Sequence, residues 1–254
     1  MEFLKIAEEA ARAAGEVLAR WAGRFTVTEK SRANLVTEAD FESQEVIRRV
    51  IHGRFPDHDF LGEEGPAAKR SGSPYRWIID PLDGTQNYVH GFPYYAVSIG
   101  LQHEGELILG TIYDPNREEM FAAQRGGGAR LNGEPIRTST IDELKNAFAV
   151  ASLPVGVTEG DPAVERFLRV LPRAQTVQRT GSAALNLAYV ACGRIDAFWS
   201  SSLKPWDMAA GVLLVSEAGG RVTRMDGGEF ALEVADLLSS NGTHIHEELR
   251  ELLR

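Results

Sequence analysis

The sequence predicts an α/β protein made of two α/β subdomains, and three observations lead to this fold class. Apolar residues near the N-terminus recur at helical spacing, residues 94–138 read as successive strands and turns, and the second half alternates strands with helices. A chain with a strand-rich first half and a second half in which strands and helices alternate is typical of layered α/β units. We therefore predict an N-terminal α+β subdomain over residues 1–140 and a C-terminal α/β subdomain over residues 141–254, joined near residues 138–146.

The first predicted elements are two helices and a short strand. Apolar spacing predicts an amphipathic helix over residues 2–22, and the polar residues 28–34 predict an exposed loop. A second helix is predicted from about Thr37 to Arg54, because Pro56 follows it. The apolar run at 76–79 predicts a strand that carries Asp80 at its end.

Strands then follow one another as far as residue 138, and they are predicted at 95–102, 107–113 and 119–123. The glycine triplet at 126–128 looks superficially like a nucleotide-binding loop. A hairpin marked by Asn132-Gly133 follows it instead of a helix, so we interpret the triplet as a turn.

In the second half of the chain, the sequence pattern predicts four strands and four helices. The strands are expected at 147–151, 174–177, 197–200 and 237–239, and the helices at 163–171, 182–191, 206–218 and 244–253.

Composition narrows the class of protein. The chain has 254 residues, of which 43% are hydrophobic, so it can bury a sizeable core. A net charge of -9 argues against a nucleic-acid or anionic-membrane binder, which needs a basic face. No apolar run approaches the roughly 20 residues that span a bilayer. The single cysteine, Cys192, allows no intramolecular disulfide, and we expect a cytoplasmic protein and interpret Cys192 as a core residue.

Three segments carry candidate chemistry. The segment Asp80-Pro81-Leu82-Asp83-Gly84-Thr85 places two carboxylates three residues apart at a strand end, before a predicted helical turn. Glu63-Glu64 lies upstream, and Asp207 lies at the start of an apolar helix. Each segment alone is also explained as a capped turn, a solvated loop tip or an N-terminal helix charge.

Together these segments resemble the inositol monophosphatase-like family of Mg²⁺-dependent, lithium-sensitive phosphatases. The resemblance covers nearly the whole chain through five motifs in order: residues 34–40 (NLVTEAD), 62–64 (GEE), 77–88 (WIIDPLDGTQNY), 181–184 (GSAA) and 206–211 (WDMAAG). It implies a layered α-β-α-β-α sandwich like that of inositol monophosphatase and fructose bisphosphatase, and a homodimer.

The resemblance also implies roles for individual residues. The metal ligands would be Glu63, Asp80, Asp83, Asp207 and the Leu82 carbonyl, most of them in the first subdomain. Asp40 and Thr85 would orient the attacking water, with Glu63 the third residue assigned to the catalytic centre. Substrate would be bound by Asp83, Gly84, Thr85, Gly181, Ser182, Ala183, Ser200 and Asp207. Lys30 would lie on a mobile loop that closes near the metals, although a solvated loop charge is an equal alternative.

Elementary electrostatics agrees with this assignment. Two carboxylates about 4 Å apart repel by about 4 kcal/mol at an effective dielectric of 20, so four converging carboxylates would destabilise the fold or hold protons unless cations were present. Ligands that are all oxygens favour Mg²⁺ or Mn²⁺ over Zn²⁺. The resemblance implies two or three such ions. The expected reaction is in-line hydrolysis of a small phosphorylated metabolite without a phosphoenzyme.

Substrate identity is left open by one departure from the family pattern. Inositol-hydrolysing relatives commonly have a Glu where this chain has Ser200. Inositol monophosphate is the single best expectation, with fructose 1,6-bisphosphate, histidinol phosphate and adenosine 3′,5′-bisphosphate as alternatives. A non-enzymatic alternative is a binding partner of the transcription machinery, since some bacterial relatives act in that way.

His244 and His246 are interpreted as surface residues at a helix start.

Overall fold

A computed structural model describes residues 2–31, 34–65 and 71–254, which form five stacked layers of helices and sheets. The described helices are α1 (Glu2–Trp21), α2 (Glu38–Arg54), α3 (Thr85–Val89), α4 (Pro162–Val170), α5 (Ala183–Ala191), α6 (Pro205–Glu217) and α7 (Ile245–Leu253).

A seven-stranded sheet occupies the first half of the chain. Its order is β3-β4-β5-β6-β7-β8-β9, with β3 parallel to β4 and all other neighbours antiparallel. The strands are β3 (Asp59–Gly62), β4 (Tyr75–Asp83), β5 (Ala96–His103), β6 (Glu106–Asp114), β7 (Glu119–Gln124), β8 (Gly128–Leu131) and β9 (Glu134–Pro135).

A five-stranded mixed sheet occupies the second half, with the order β11-β10-β12-β14-β13. Its strands are β10 (Phe148–Ser152), β11 (Thr176–Gln178), β12 (Ala197–Ser200), β13 (Arg221–Thr223) and β14 (Leu237–Ser240). The remaining strands, β1 (Val27–Ser31) and β2 (Asn34–Thr37), pair with each other as an antiparallel hairpin.

The outer layer on the large sheet consists of α1 and α2. Small residues of α1, among them Ala7, Ala10 and Ala14, are fully buried, so the helix can lie close to α2 and to the sheet. Thr37 caps α2 by accepting a hydrogen bond from the Ala39 amide. This cap fixes where α2 begins and therefore where Asp40 lies.

The middle layer consists of α5 and α6, which lie between the two sheets and contact both. Close approach of α6 to the large sheet requires glycine at Gly110. A Cβ atom there would lie 2.5 Å from the Ala210 carbonyl oxygen, well inside van der Waals contact. The layer therefore anchors the helix that begins near Asp207.

The outer layer on the small sheet consists of α4 and α7, which contact each other. Ile245, Leu249 and Leu253 of α7 are buried against this sheet. The order is α1/α2, large sheet, α5/α6, small sheet, α4/α7. The predicted layered α-β-α-β-α fold is thus confirmed, while the subdomain division at residue 140 stays a prediction.

Two local predictions were wrong. Residues 28–31 and 34 belong to strands of the β1–β2 hairpin, whereas a loop was predicted; residues 32 and 33 lie outside the described residues. Every residue of β1 is exposed, so the strand lacks the alternation that reveals strands in sequence. His246 is fully buried, whereas a surface position was predicted, because α7 packs that side of its first turn against β14.

Among the residues that the structure describes, none of the helices combines the length and apolar character needed to cross a membrane.

Candidate active site

The end of β4 brings two acidic side chains to one point. The pairing of β4 with β5 shifts register between Asp80 and Asp83, so the strand is irregular where these residues lie. The Leu82 amide donates to Asp80 Oδ1 at 3.0 Å. Gly84 follows with φ 99°, a left-handed conformation that favours glycine, and turns the chain into α3.

The third acidic side chain comes from the second half of the chain. Asp207 lies in the first turn of α6, where its Oδ2 accepts a hydrogen bond from the Lys204 amide at 2.6 Å. One oxygen each of Asp80, Asp83 and Asp207 lie within 4.8 Å of one another. We call these three residues the carboxylate cluster.

Asp83 also joins the large sheet to the start of α5. Ser182 Oγ donates to Asp83 Oδ2, and the Ala184 amide donates to the same oxygen at 2.8 Å. Ser182 is in turn the N-cap of α5, accepting from the Leu185 amide at 3.2 Å. The predicted substrate-side segment 181–183 is therefore held against the carboxylate cluster.

Asn87 fixes the turn that precedes α5. Its Nδ2 donates to the Thr180 carbonyl at 2.8 Å and to the Tyr94 carbonyl at 2.7 Å. A Cβ atom on Gly181 would lie 2.8 Å from Asn87 Nδ2, so glycine is required there both for this contact and for its φ of 92°. No separate role was predicted for Asn87 from the sequence.

Asp40 and Thr85 lie beside the cluster in a chain of hydrogen bonds. Asp40 Oδ2 accepts from the Thr37 amide at 2.8 Å and from Thr37 Oγ1 at 2.7 Å. Thr85 Oγ1 lies 3.2 Å from Asp40 Oδ1 and 3.1 Å from the Leu82 carbonyl oxygen. A hydroxyl has one proton, so Thr85 donates to only one of these acceptors at a time.

Glu63 follows β3, where its amide donates to the Ile79 carbonyl at 3.2 Å. Lys30 of β1 lies with Nζ 3.8 Å from Glu63 Oε1 and donates to the buried Glu64 carboxylate at 2.5 Å. Glu63 is not one of the three residues that approach within 4.8 Å, but its carboxylate acts electrostatically on Asp80. Lys30 is therefore paired in this hairpin, and its role as a mobile closing residue stays a prediction.

Burial and mutual repulsion both act on these carboxyl groups. Burial, and then the neighbouring carboxylates, raise the pKa of Asp80 and of Asp207 well above the ordinary value. Burial raises the pKa of Asp83 to about 6, against the hydrogen bonds from Ser182 and α5. Burial also raises the pKa of Glu63 to about 7, although Lys30 opposes it.

The donor set fits hard divalent cations. Buried carboxylates that repel one another are stabilised by a cation placed between them, and every candidate ligand is an oxygen. Asp40, whose pKa is raised chiefly by burial, adds a further acid close by. The residues of this site therefore fit a hard divalent cation.

An open cleft of about 370 Å³ lies over the cluster. Of the predicted site residues, it is lined by Asp83, Gly84, Thr85, Gly181, Ala183 and Asp207. Ser200 is fully buried and does not line it; its Oγ accepts from the Ser202 amide at 3.4 Å, and Ser202 reaches the cleft.

Sequence reasoning missed Arg179, the one basic side chain among the described residues that line the cleft. Arg179 is exposed, and within the described ranges it makes no ion pair or hydrogen bond. Arg179 directly precedes the Thr180-Gly181 turn. This position would identify it as a site residue only if the turn were already known to face the carboxylate cluster.

Comparison with known proteins identifies the group to which this architecture is similar. A model of the inositol monophosphatase family matches residues 1–254. An inositol-1-monophosphatase of Synechocystis sp. is 41% identical over 254 residues, covering 99% of this chain and 88% of the relative. The Nus factor SuhB of Pseudomonas aeruginosa is 41% identical over 246 residues, covering 94% of this chain and 91% of the relative.

Solved structures give the same result. The extragenic suppressor protein suhB from Bartonella henselae superposes with a TM-score of 0.96 at 36% identity, covering 100% of this chain and 99% of the other. The Thermotoga maritima IMPase superposes with a TM-score of 0.91 at 36% identity, covering 100% of this chain and 97% of the other.

Proposed function

The chain belongs to the inositol monophosphatase family, and on that premise we propose that it is a Mg²⁺-dependent phosphomonoesterase. Its proposed reaction is hydrolysis of inositol monophosphate to inositol and phosphate. The observation that carries the proposal is the carboxylate cluster, in which Asp80, Asp83 and Asp207 converge from distant parts of the chain beneath an open cleft.

The cluster supplies the ligands. Asp80, Asp83, Asp207, Glu63 and the Leu82 carbonyl would hold two or three Mg²⁺ ions, and Mn²⁺ has the same preference for oxygen. Such ions lower the pKa of water, polarise phosphoryl oxygens and offset charge on the leaving oxygen. Bound cations would also offset negative charge at the site, which explains how a chain of net charge -9 can bind an anionic substrate.

We propose that Thr85 and Asp40 accept the proton of the attacking water. When Thr85 Oγ1 donates to Asp40 Oδ1, its lone pairs are free to accept a proton from a water in the cleft. Asp40 already accepts two hydrogen bonds from Thr37, and an ionised Asp40 has no proton to give, so it can only accept in its contact with Thr85. Thr85 and Asp40 would thus orient the attacking water and receive its proton without forming a phosphoenzyme.

The substrate side of the cleft is formed by two turns. Gly84 and Thr85 lie at the start of α3, and Gly181, Ser182 and Ala183 lie at the start of α5. Both turns are tied to the cluster, one through the chain itself and one through the Asp83–Ser182 hydrogen bond. We propose that they place the phosphate for in-line attack, so that positioning and electrostatics supply most of the catalysis.

The direct test is phosphate release by the purified protein with and without Mg²⁺. Inositol 1-phosphate is the first substrate and Asp83→Asn is the control. We expect turnover that requires Mg²⁺ and is lost in the variant. Absence of turnover in a folded protein that binds Mg²⁺ would contradict the proposal. It would favour the alternative of a transcription-machinery partner, which the name Nus factor SuhB of some relatives suggests.

Arg179 favours a second candidate substrate class. A guanidinium at the cleft wall can bind an additional anionic group, and the buried Ser200 provides no carboxylate there for a ring hydroxyl. Fructose 1,6-bisphosphate and adenosine 3′,5′-bisphosphate carry a second phosphate, and histidinol phosphate does not. A higher kcat/KM for the bisphosphates than for inositol 1-phosphate, reversed in Arg179→Gln, would favour this candidate; a preference for inositol 1-phosphate in both proteins would exclude it.

We further propose that the enzyme is a cytoplasmic homodimer that binds neither membranes nor nucleic acid. Light scattering coupled to size-exclusion chromatography measures the mass directly. A mass of one chain, 27.9 kDa, would contradict the dimer.

A further inference from the structure

Helix α2 presents two polar side chains to the active-site region, one helical turn apart. Asp40 and Gln44 are four residues apart, so they lie on the same face of the helix. Asp40 contacts Thr85, as described above. Gln44 instead contacts the segment Gly62-Glu63-Glu64, which follows β3 and carries the proposed metal ligand Glu63.

The Gln44 carboxamide makes two hydrogen bonds to one backbone unit. Its Nε2 donates to the Glu64 carbonyl at 2.6 Å, and its Oε1 accepts from the Glu64 amide at 3.0 Å. A neighbouring strand offers the same pair of contacts in a β-ladder. Because β3 ends at Gly62, the side chain of Gln44 takes the place of a strand for the residue beyond the ladder.

Gly62 makes the approach of Gln44 possible. A Cβ atom at Gly62 would lie 2.2 Å from Gln44 Oε1 and 2.7 Å from its Cδ. The backbone of Gly62 does not have a positive φ, so glycine is needed there for space and not for its torsion angles. Gln44 is therefore packed against Gly62 on one side of Glu63 and bonded to Glu64 on the other.

Gln44 thereby holds the backbone on both sides of Glu63, and the Glu63 amide itself donates to the Ile79 carbonyl. Its side chain is left to face the cluster, where it acts on Asp80. Gln44 itself is not among the residues that line the cleft. Its influence on the site passes through the backbone of residues 62–64.

We propose that Gln44 is a positioning residue that holds Glu63 in place for Mg²⁺. This inference rests on the proposed function, because it takes Glu63 to be a metal ligand. Without the two hydrogen bonds, the segment after β3 samples other conformations, and Mg²⁺ binding must then order it. Loss of Gln44 therefore weakens Mg²⁺ binding without removing any ligand.

Titration calorimetry of Mg²⁺ into the protein tests the proposal without measuring activity. Gln44→Met keeps the length of the side chain and removes both hydrogen bonds. We expect its Kd for Mg²⁺ to rise about tenfold, or about 1.4 kcal/mol. Gln102→Met is the matched control, because Gln102 also bonds a backbone carbonyl, that of Gly105 at 2.9 Å, but lies at the far end of β5.

Enzyme kinetics separates positioning from a general loss of structure. The Mg²⁺ concentration for half-maximal activity should rise in Gln44→Met as Kd does, while kcat at saturating Mg²⁺ stays within about twofold of wild type. Gln44→Asn, whose shorter amide cannot span the same gap, provides a second variant if the methionine form does not fold.

A double-mutant cycle tests the contact itself. Gly62→Ala should weaken Mg²⁺ binding, because the added methyl group displaces Gln44 from Glu64. In the Gln44→Ala background that space is empty, so the same Gly62→Ala change should cost little more. We expect clear non-additivity between the two sites.

The outcomes separate the inference from the proposed function. An unchanged Kd in folded Gln44→Met and Gln44→Asn, with wild type binding Mg²⁺, would overturn the positioning role alone. Additive effects of Gly62→Ala and Gln44→Ala would overturn it as well. Failure of wild type to bind Mg²⁺ would instead overturn the proposed function, and this inference with it.

Discussion

Two clusters of buried polar side chains in this protein differ in how the loss of contact with water is compensated. The carboxylate cluster sets like charges against one another beneath the cleft. The second cluster, beside the small sheet, surrounds the fully buried His246 with hydroxyl groups: Nε2 lies 3.0 Å from Thr223 Oγ1, and Nδ1 lies 2.8 Å from Ser240 Oγ. We call His246, Thr223 and Ser240 the histidine cluster.

The histidine cluster is satisfied by the protein alone. Thr223 Oγ1 gives its proton to the Arg224 carbonyl at 2.7 Å, so it accepts a hydrogen bond from His246 Nε2. His246 is then the neutral tautomer with its proton on Nε2, and Ser240 donates to Nδ1. Burial lowers the pKa of His246 to about 4, which agrees with a neutral ring.

The carboxylate cluster cannot be satisfied in this way. Its members face other carboxylates, and the donors near them, the amides of Leu82, Ala184 and Lys204 and the hydroxyl of Ser182, offset only part of the charge. A buried polar group that the protein does not compensate internally therefore indicates a ligand from outside the chain.

The largest effect is expected from Asp80→Asn. The amide keeps the hydrogen bond from the Leu82 amide but removes a ligand charge, so phosphatase activity should fall by at least about a thousandfold. The same change relieves repulsion in the metal-free protein, and its Tm should rise by about 3 °C or more. Steady-state kinetics and calorimetric melting in EDTA measure the two effects.

Asp114→Asn is the matched control for that variant. Asp114 is fully buried, but it accepts from the Asn116 amide at 2.9 Å and from the Arg117 guanidinium at 3.0 Å. This change should lower the Tm and leave Mg²⁺ affinity intact. A lower metal-free Tm in both variants would contradict the contrast between compensated and uncompensated carboxylates.

Thr85→Val should lower kcat by about a hundredfold, because the hydroxyl that orients water is lost while the shape is kept. Mg²⁺ affinity should change less than about threefold, since Thr85 is not a proposed ligand. Pre-steady-state phosphate release and calorimetry measure the two quantities. Thr111→Val, which removes a buried hydroxyl 3.5 Å from the Ile99 carbonyl, should leave kcat unchanged.

His246→Ala should lower the free energy of unfolding by about 3 kcal/mol, because it opens a cavity and leaves Thr223 and Ser240 without their partner. The activity of the folded fraction should be unaffected. Urea unfolding monitored by fluorescence measures the first quantity. Loss of activity in a protein that remains folded would show that the histidine cluster is more than structural.

The smallest expected effect is a difference in pH dependence between the clusters. The pKa of His246 is lowered in the folded state, so the stability it contributes is present above about pH 6.5 and is lost as pH falls toward 4. The carboxylates have raised pKa values, so in the metal-free protein stability is present below about pH 4 and is lost as pH rises through 6 and 7, the values for Asp83 and Glu63.

Unfolding measured from pH 4 to 8 in EDTA and in excess Mg²⁺ separates these contributions. Mg²⁺ should abolish the loss of stability on the alkaline side and leave the histidine contribution unchanged. His246→Gln should abolish the loss on the acid side only. The same alkaline loss with and without Mg²⁺ would contradict the assignment of the carboxylates.

The carboxylate cluster was predictable only from its segments taken together, because each segment alone also has a structural explanation and the family resemblance implies their shared role. Asp80 and Asp83 lie at the end of an apolar strand, and Asp207 lies in the first turn of an apolar helix. The layered fold was implied by the family resemblance, whereas the sequence pattern alone predicted two α/β subdomains. Most of the predicted helix and strand boundaries differ from the structure by one or two residues, but the short strands β3 and β13 were not predicted.

Residues whose setting depends on packing were not predictable. His246 has polar neighbours that resemble a surface helix start, and only the packing of α7 on the small sheet buries it. Gln44 and Arg179 are ordinary polar residues in sequence. Their proximity to Glu64 and to the cleft comes from the way α2, β3 and the turn before α5 are stacked in three dimensions.

The central claim is that the carboxylate cluster is compensated by divalent cations. Titration of Mg²⁺ into the metal-free protein at pH 6.5, in two buffers with different ionisation enthalpies, measures affinity and proton release together. We expect saturable binding with net release of protons, because carboxyl groups with raised pKa values must ionise to bind the metal. Absence of saturable binding in wild type, or binding equally strong in Asp80→Asn, would contradict it.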